Sequence, residues 1–221
     1  IWPNADKNVY AYAATGWKNS IELRTLPDGA VIHAADLASP GDVNCIGLAV
    51  HNRLLAMTLR PVNSLVIFDT AARKVIGSKT LDEIGGVAFD DQGRLFVATQ
   101  KRIVRFDGLA LGKIAADEKG MIDARHQAVA VVTEGLSDPR QLLFDKGELF
   151  VADHGSAHQV KVFDANGKLL RTIGRAGGMQ LGAYQQEAMQ NPAGMTIDSR
   201  GRLWVAESDY SRSEEHTSEL Q

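Results

Sequence analysis

An apolar strand, an Asp/Gly turn and a second strand of the form Leu-aromatic-Val-Ala recur along this chain. That repetition restricts the fold more than any single residue does. One copy runs from Gly86 to Ala98, turning at Asp90–Gly93 before Leu95-Phe96-Val97-Ala98. It returns from Arg140 to Asp153, with Leu149-Phe150-Val151-Ala152, and from Gly194 to Glu207, with Leu203-Trp204-Val205-Ala206. A worn copy, Gly47 to Met57, lacks the turn glycine. The copies begin at 47, 86, 140 and 194, so they are spaced 39, 54 and 54 residues apart.

A unit near forty residues is what four short antiparallel strands with tight turns require. In the copy at 140, strand a falls at Gln141–Phe144, with Leu142 and Phe144 on one face at period two. Strand b follows at Glu148–Ala152, strand c at Gln159–Phe163, the Asn166-Gly167 turn next, and strand d at Leu169–Ile173. Strand c recurs at Ser64–Asp69 and Arg102–Asp107, and Gln127–Val132 serves as a strand d. Ahead of the worn copy, Asn8–Ala13, Ser20–Arg24 and Ala30–Ala34 read as strands b, c and d of a unit without its strand a. The extra residues lie at Gly108–His126, where a short helix fits, and in a loop at Arg175–Asn191. Long 3.6-residue periodicity is missing, and turn signals arrive about every ten residues. The expectation is an all-β chain: an incomplete β-propeller of four-stranded antiparallel blades. It would hold about four to five of six blades, in pieces at about 1–38, 44–79, 86–133, 140–174 and 192–211 of a 1–211 propeller region.

Composition narrows function. The chain is 44% hydrophobic and 23% charged, with a net charge of −3 and neither a long apolar run nor a basic patch. A membrane span and a nucleic-acid partner are therefore not expected. Cys45 is the single cysteine, so no internal disulfide can form; it reads as a small buried residue. Arg212–Gln221 abandons the repeat and resembles the in-frame translation of a sequencing-library adapter, as in a fragmentary, metagenomic gene. Setting that tail (212–221) aside, His216 included, leaves a net charge of −1.

The stretch from Pro192 to Glu207 resembles the NHL-type propeller repeat, as does Asp138-Pro139-Arg140 through Asp153. The resemblance covers about residues 44 to 210 and implies a six-bladed, TolB-like ring, with seven blades as the other option. It also favours a secreted or periplasmic bacterial protein. The Asp-x-x-Asn-His-Arg type continuation after strand b is replaced by Asp153-His154-Gly155-Ser156-Ala157-His158. That departure argues against carrying over an NHL enzyme or RNA-binding function.

In such a blade the a–b and c–d turns emerge on one face, and the b–c loops and d–a connections on the other. The first face holds short scaffold turns, with His51 expected as a solvated turn residue. The second collects the variable loops, and rigid frames carry function there. The candidate ligand-binding residues on it are Thr99, Arg140, Asp153, His154, His158, Tyr184, Glu207 and Asp209. Asp153, His158 and Glu207 are the candidate metal ligands, with Ca²⁺ favoured by oxygen donors and Zn²⁺ by histidine. The competing expectation is that Asp153 and Glu207 accept loop amide hydrogen bonds. Phe96, Phe150 and Trp204 share one strand b position and read as inter-blade core, whereas Trp17 and Tyr184 lie on loops free to touch a ligand. P-loop, nucleophile-elbow and paired-cysteine motifs are missing. The expected function is a non-catalytic module of a larger protein, binding a protein, peptide or glycan through the b–c/d–a face. The alternative is a metal-dependent, lactonase-like hydrolase or lyase propeller.

Overall fold

A computed structural model describes residues 2–3, 9–14, 20–25, 28–36, 43–107, 127–180 and 185–208. All regular structure among them is β, in four four-stranded antiparallel sheets and one two-stranded sheet. Blade 1 comprises β1 (Trp2–Pro3), β2 (Val9–Ala14), β3 (Ser20–Thr25) and β4 (Val31–Asp36). Blade 2 comprises β5 (Asn44–His51), β6 (Leu54–Arg60), β7 (Ser64–Asp69) and β8 (Lys74–Thr80). Blade 3 comprises β9 (Ile84–Phe89), β10 (Leu95–Thr99), β11 (Arg102–Phe106) and β12 (Val129–Val132). Blade 4 comprises β13 (Pro139–Asp145), β14 (Glu148–Asp153), β15 (Gln159–Asp164) and β16 (Leu169–Ile173). Blade 5 is the pair β17 (Pro192–Ile197) and β18 (Leu203–Glu207). The chain is thus an arc of a β-propeller. No helix among the described residues is long and apolar enough to cross a membrane.

Strands consecutive in sequence are neighbours in each sheet, and several of the hairpins close on a short polar turn. Asp90 shows how the turn is built. Its Oδ1 accepts the amides of Gln92 and Arg94 at 3.0 and 2.8 Å, and its Oδ2 accepts Arg94 Nε. Asp198 repeats the pattern with Arg200 and Arg202, at 2.9 Å for both amides. Gly93 and Gly201 close these turns at φ of 76° and 78°, where a Cβ would be strained.

Alternation along the strands sends one set of side chains to each neighbouring blade. Leu54, Ala56, Leu65 and Ile67 meet Val87, Leu95, Val97, Val104 and Phe106 between blades 2 and 3. Ala88, Phe96, Ala98 and Ile103 meet Leu142, Leu149, Val151 and Phe163 between blades 3 and 4. Burying one such Leu or Phe stabilises the fold by about 1.5–3 kcal/mol. The inner strands β5, β9 and β13 come close together at the axis. A Cβ on Gly47 would sit 3.0 Å from Val87 N, and one on Gly86 would sit 2.6 Å from the Arg140 carbonyl oxygen. Glycine at that position of β5 and β9 leaves room for the next inner strand, whereas β13 carries Gln141 there.

Four details differ from the sequence reading. Blade 1 does have its strand a, because Trp2 and Pro3 pair with Ala11 and Tyr10; two residues are too few for a pattern to reveal. His51 ends β5 and packs its ring 5.8 Å from that of Phe89, so it is not a free turn residue. Cys45 lies inside β5, half-buried, with its thiol donating to the Gly47 carbonyl and burial pushing it up to about 11. Trp204 is 40% exposed, whereas Phe96 and Phe150 at the same position are 0% and 5% exposed. Phe96 stacks on Phe144 of the next blade and Phe150 packs toward Met195 and Val205, but no described sheet follows Trp204. The Gly108–His126 segment and the 212–221 tail lie outside the described residues.

Candidate functional site

The last residue of strand b carries a polar side chain in three successive blades, and in each it ties down the connection that enters that blade. Thr99 Oγ1 donates to the Asp82 carbonyl. Asp153 accepts the Ser137 amide at 3.0 Å, the Asp138 amide at 2.7 Å and the Ser137 hydroxyl at 3.2 Å. Glu207 Oε2 accepts the Gln190 amide at 2.8 Å. The next residue along repeats the tie through its backbone. Gln100, His154 and Ser208 donate to the carbonyls of Glu83, Asp138 and Asn191 at 3.2, 2.9 and 3.0 Å. These are latches between strand b and the d–a connection, built at one register position.

Asp153 is the strongest of them. It has no exposed surface, and Lys161 Nζ reaches it at 2.5 Å from the neighbouring strand. Lys161 also donates to the Gly135 carbonyl, so one ammonium binds strand β14 to the incoming connection. Strand alternation marks Lys161 only as a polar residue between Val160 and Val162; its reach back to Asp153 carries no sequence signal.

A polar chain extends from this latch across the loop face. Arg140 holds Asp138 Oδ2 through Nε at 2.8 Å, and that carboxylate lies 3.7 Å from His154 Nδ1. His154 Nε2 lies 3.1 Å from Ser208 Oγ, which donates to the Asn191 carbonyl at 3.2 Å. The Asn191 amide then donates to His158 Nδ1 at 3.2 Å. Because the Ser208 proton is directed to Asn191, the hydrogen-bond pattern assigns the proton of His154 to Nε2. Burial, then the Arg140 charge, holds His154 below its ordinary pKa; Asp138 opposes the shift, His158 adds to it, and Asp153 opposes it. Asp138, His154 and Ser208 have the residue types of a nucleophilic triad. The 3.7 Å gap and the proton's direction leave them a bridge between blades 4 and 5.

The long connection after β16 folds back over this chain. Arg175 and Gly177 donate to the carbonyls of Glu187 and Ala157 at 2.6 and 3.1 Å. Gly178 lies against the His158 ring, where a Cβ would come 2.7 Å from Cδ2. Met179, whose amide donates to Gln190 Oε1 at 3.3 Å, is left 38% exposed.

The structure therefore brings Arg140, Asp153, His154, His158 and Glu207 to one loop face, with Thr99 at the equivalent place one blade earlier. Tyr184, Asp209 and Trp17 lie outside the described residues. Ser137, Asp138, Lys161, Asn191 and Ser208 complete the network. Among the described residues no three His, Cys, Asp or Glu side chains gather closely enough to hold an ion. Asp153 already receives amide, hydroxyl and ammonium donors, His158 Nδ1 receives an amide, and Glu207 Oε2 receives another. Those three side chains do not form a cation's donor set.

No family model matches the sequence. Protein brain tumor of Drosophila melanogaster is 26% identical over 175 residues, which is 72% of this chain and 14% of that protein. A chain of the nidogen/laminin complex superposes with a TM-score of 0.63 at 18% identity, covering 90% of this chain and 70% of that one. Hydrazine synthase of Kuenenia stuttgartiensis gives a TM-score of 0.64 at 14% identity, covering 92% and 71%. The chain thus spans about a seventh of the curated protein it matches. These likenesses agree with the blade arrangement: the fold is that of a β-propeller.

Proposed function

We propose that this chain is part of a six-bladed, NHL-like propeller that binds a protein partner through the b–c/d–a face and does not catalyse a reaction. The observation that carries this reading is the described part of the connection after β16, residues 175–180 and 185–191. It is pinned to the b–c loop by backbone bonds and the His158 contact, yet holds Met179 out toward solvent. A fixed loop presenting an exposed methionine suits protein contact, because the thioether adapts to varied apolar surfaces. The polar side chains beneath it are engaged in latching loops, which favours binding over chemistry. The likeness to protein brain tumor and to a chain of the nidogen/laminin complex supports a propeller of the interaction type.

Photo-crosslinkers placed at Met179 and, on the opposite face, at Lys146 test the reading in lysate of the source cells. Discrete protein adducts at Met179, with few at Lys146, are expected. Equal labelling at both, or turnover of simple lactones by the protein supplied with Ca²⁺ or Zn²⁺, would overturn it.

A further inference from the structure

We propose that protonation of His158 releases the connection after β16 from the b–c loop of blade 4. Resting on the reading of this face as the binding surface, the device makes the seating of Met179 depend on pH: fixed near neutrality, loosened in acid. His158 Nδ1 accepts the Asn191 amide at 3.2 Å, so this nitrogen carries no proton while the connection is seated. In the imidazolium both ring nitrogens are donors, and turning the ring does not restore an acceptor. One proton therefore replaces a hydrogen bond with two N–H groups aimed at each other. The residue is half-buried, so solvent protons reach it.

Asn191 is where the connection is fastened. Its carbonyl accepts the Ser208 amide at 3.0 Å and the Ser208 hydroxyl at 3.2 Å, while its own amide goes to His158. One residue thus joins blade 5 to the b–c loop of blade 4. Both partners of the His158 bond hold left-handed backbone, His158 at φ 49° and Asn191 at φ 51°. Such conformations persist outside glycine where the surrounding bonds enforce them. Gly178 lies against the ring, and a Cβ there would come 2.7 Å from His158 Cδ2 and 2.8 Å from Gln190 Oε1. Gln190 Oε1 in turn accepts the Met179 amide at 3.3 Å. Ring, Gly178, Gln190 and Met179 form one packed unit. The neighbouring tie, Gly177 N to the Ala157 carbonyl at 3.1 Å, sits one residue from His158 on the same loop. Losing the His158 bond strains it too.

Charged and titratable groups sit on every element packed around this ring. Its own loop and sheet carry Asp153, Lys161 and His154, whose proton affinity the His158 charge lowers. The connection entering blade 4 carries Asp138 and Arg140, the connection after β16 carries Arg175 and Glu187, and blade 5 carries Glu207. The carboxylates closest to the latch are engaged. Asp153 holds two amides, the Ser137 hydroxyl and Lys161, Asp138 holds Arg140, and Glu207 Oε2 holds the Gln190 amide. A new imidazolium therefore meets a second histidine and committed acceptors in the seated state, and gains hydration by leaving it.

Hydrogen exchange at single amides, read by NMR and corrected for intrinsic rates, tests the proposal in the 221-residue chain. The chain carries His154→Gln, so that the neighbouring ring does not contribute. Protection of the Asn191 and Gly177 amides is expected to fall about tenfold between about pH 7.5 and about pH 5.5, while the Val97 and Val151 amides keep theirs. Adding His158→Asn puts an oxygen where Nδ1 stood, suits the left-handed backbone and does not titrate. Asn191 and Gly177 should then stay protected across the range. In the parent, which needs no variant, the Asn191 amide proton should shift with the same midpoint as the His158 ring resonances. Flat protection with His158 present, a fall shared equally by the core amides, a fall retained with His158→Asn, or unequal midpoints would each overturn the proposal. Exchange reads the connection without a partner, so its failure leaves the Met179 adducts untouched, and their failure leaves the exchange result standing.

Discussion

Lys161 Nζ and Asp153 Oδ2 meet at 2.5 Å, and the carboxylate of this pair has no exposed surface. A buried charge is tolerated only when its partners are supplied, and here they come from three directions: two loop amides, the Ser137 hydroxyl and the ammonium. Asp153→Ala would strand that ammonium and two amides at once. The expected cost is about 3–5 kcal/mol, the range for breaking a buried pair from one side. Denaturant unfolding should show it as a lower midpoint. Asp153→Asn, which keeps the acceptor oxygen but loses the charge, should cost less.

Gly86 predicts a second effect, at the axis. A methyl there would come within 2.6 Å of the Arg140 carbonyl and 2.9 Å of Leu142 N, neither of which can rotate away. Gly86→Ala should therefore push blades 3 and 4 apart at their inner strands and destabilise by about 1–3 kcal/mol, the usual cost of overpacking. A thermal melt compared with that of the parent checks it. A parent-like melting temperature would mean that the inner strands are less close than described.

Much of this was legible in the sequence, for reasons that separate cleanly. Most strands, β2–β4 among them, announce themselves through period-two alternation and Asp/Gly turns, which depend on local residues alone. The latch role of Asp153 and Glu207 is one that the sequence offers, because carboxylates at strand ends commonly accept loop amides. Lys161 and Asn191 were not legible as members of that network. Their contacts join positions 8 and 33 residues apart, set by how blade 4 folds and how the long connection returns. Trp204 differs from Phe96 and Phe150 for a similar reason. Its sequence is that of a core residue, but whether a core exists there depends on the neighbouring sheet.

Thr58 yields the third prediction. It is fully buried, and its hydroxyl is the buried side-chain polar atom without a hydrogen-bond partner among the described residues. The equivalent positions in blades 3, 4 and 5 are Ala98, Ala152 and Ala206, so the site does not require a hydroxyl. An unsatisfied buried hydroxyl costs about 1–3 kcal/mol. Thr58→Val removes that polar group and keeps the branched shape, and should raise the unfolding midpoint. A fall would indicate that the hydroxyl has a partner, with bridging water the first to look for.

His154 gives the stability a direction with pH. Burial is the main cause that lowers its proton affinity in the fold, with the Arg140 charge next. The unfolded chain, titrating near the ordinary value of 6.5, therefore binds more protons than the folded one once the pH drops into that range. The sign follows: the contribution of neutral His154 is fully present above the unfolded value and is lost as pH falls through it toward the lower folded value. Protonation would also put a charge beside Arg140, while offering Nδ1–H to Asp138 as partial compensation. His154→Gln keeps an amide donor for Ser208 and does not titrate. Melting temperatures of parent and variant, measured from about pH 7.5 down to about pH 5, should therefore diverge, with the parent losing more. Parallel curves would show that the bridge from Asp138 to Ser208 does not depend on the protonation of this ring.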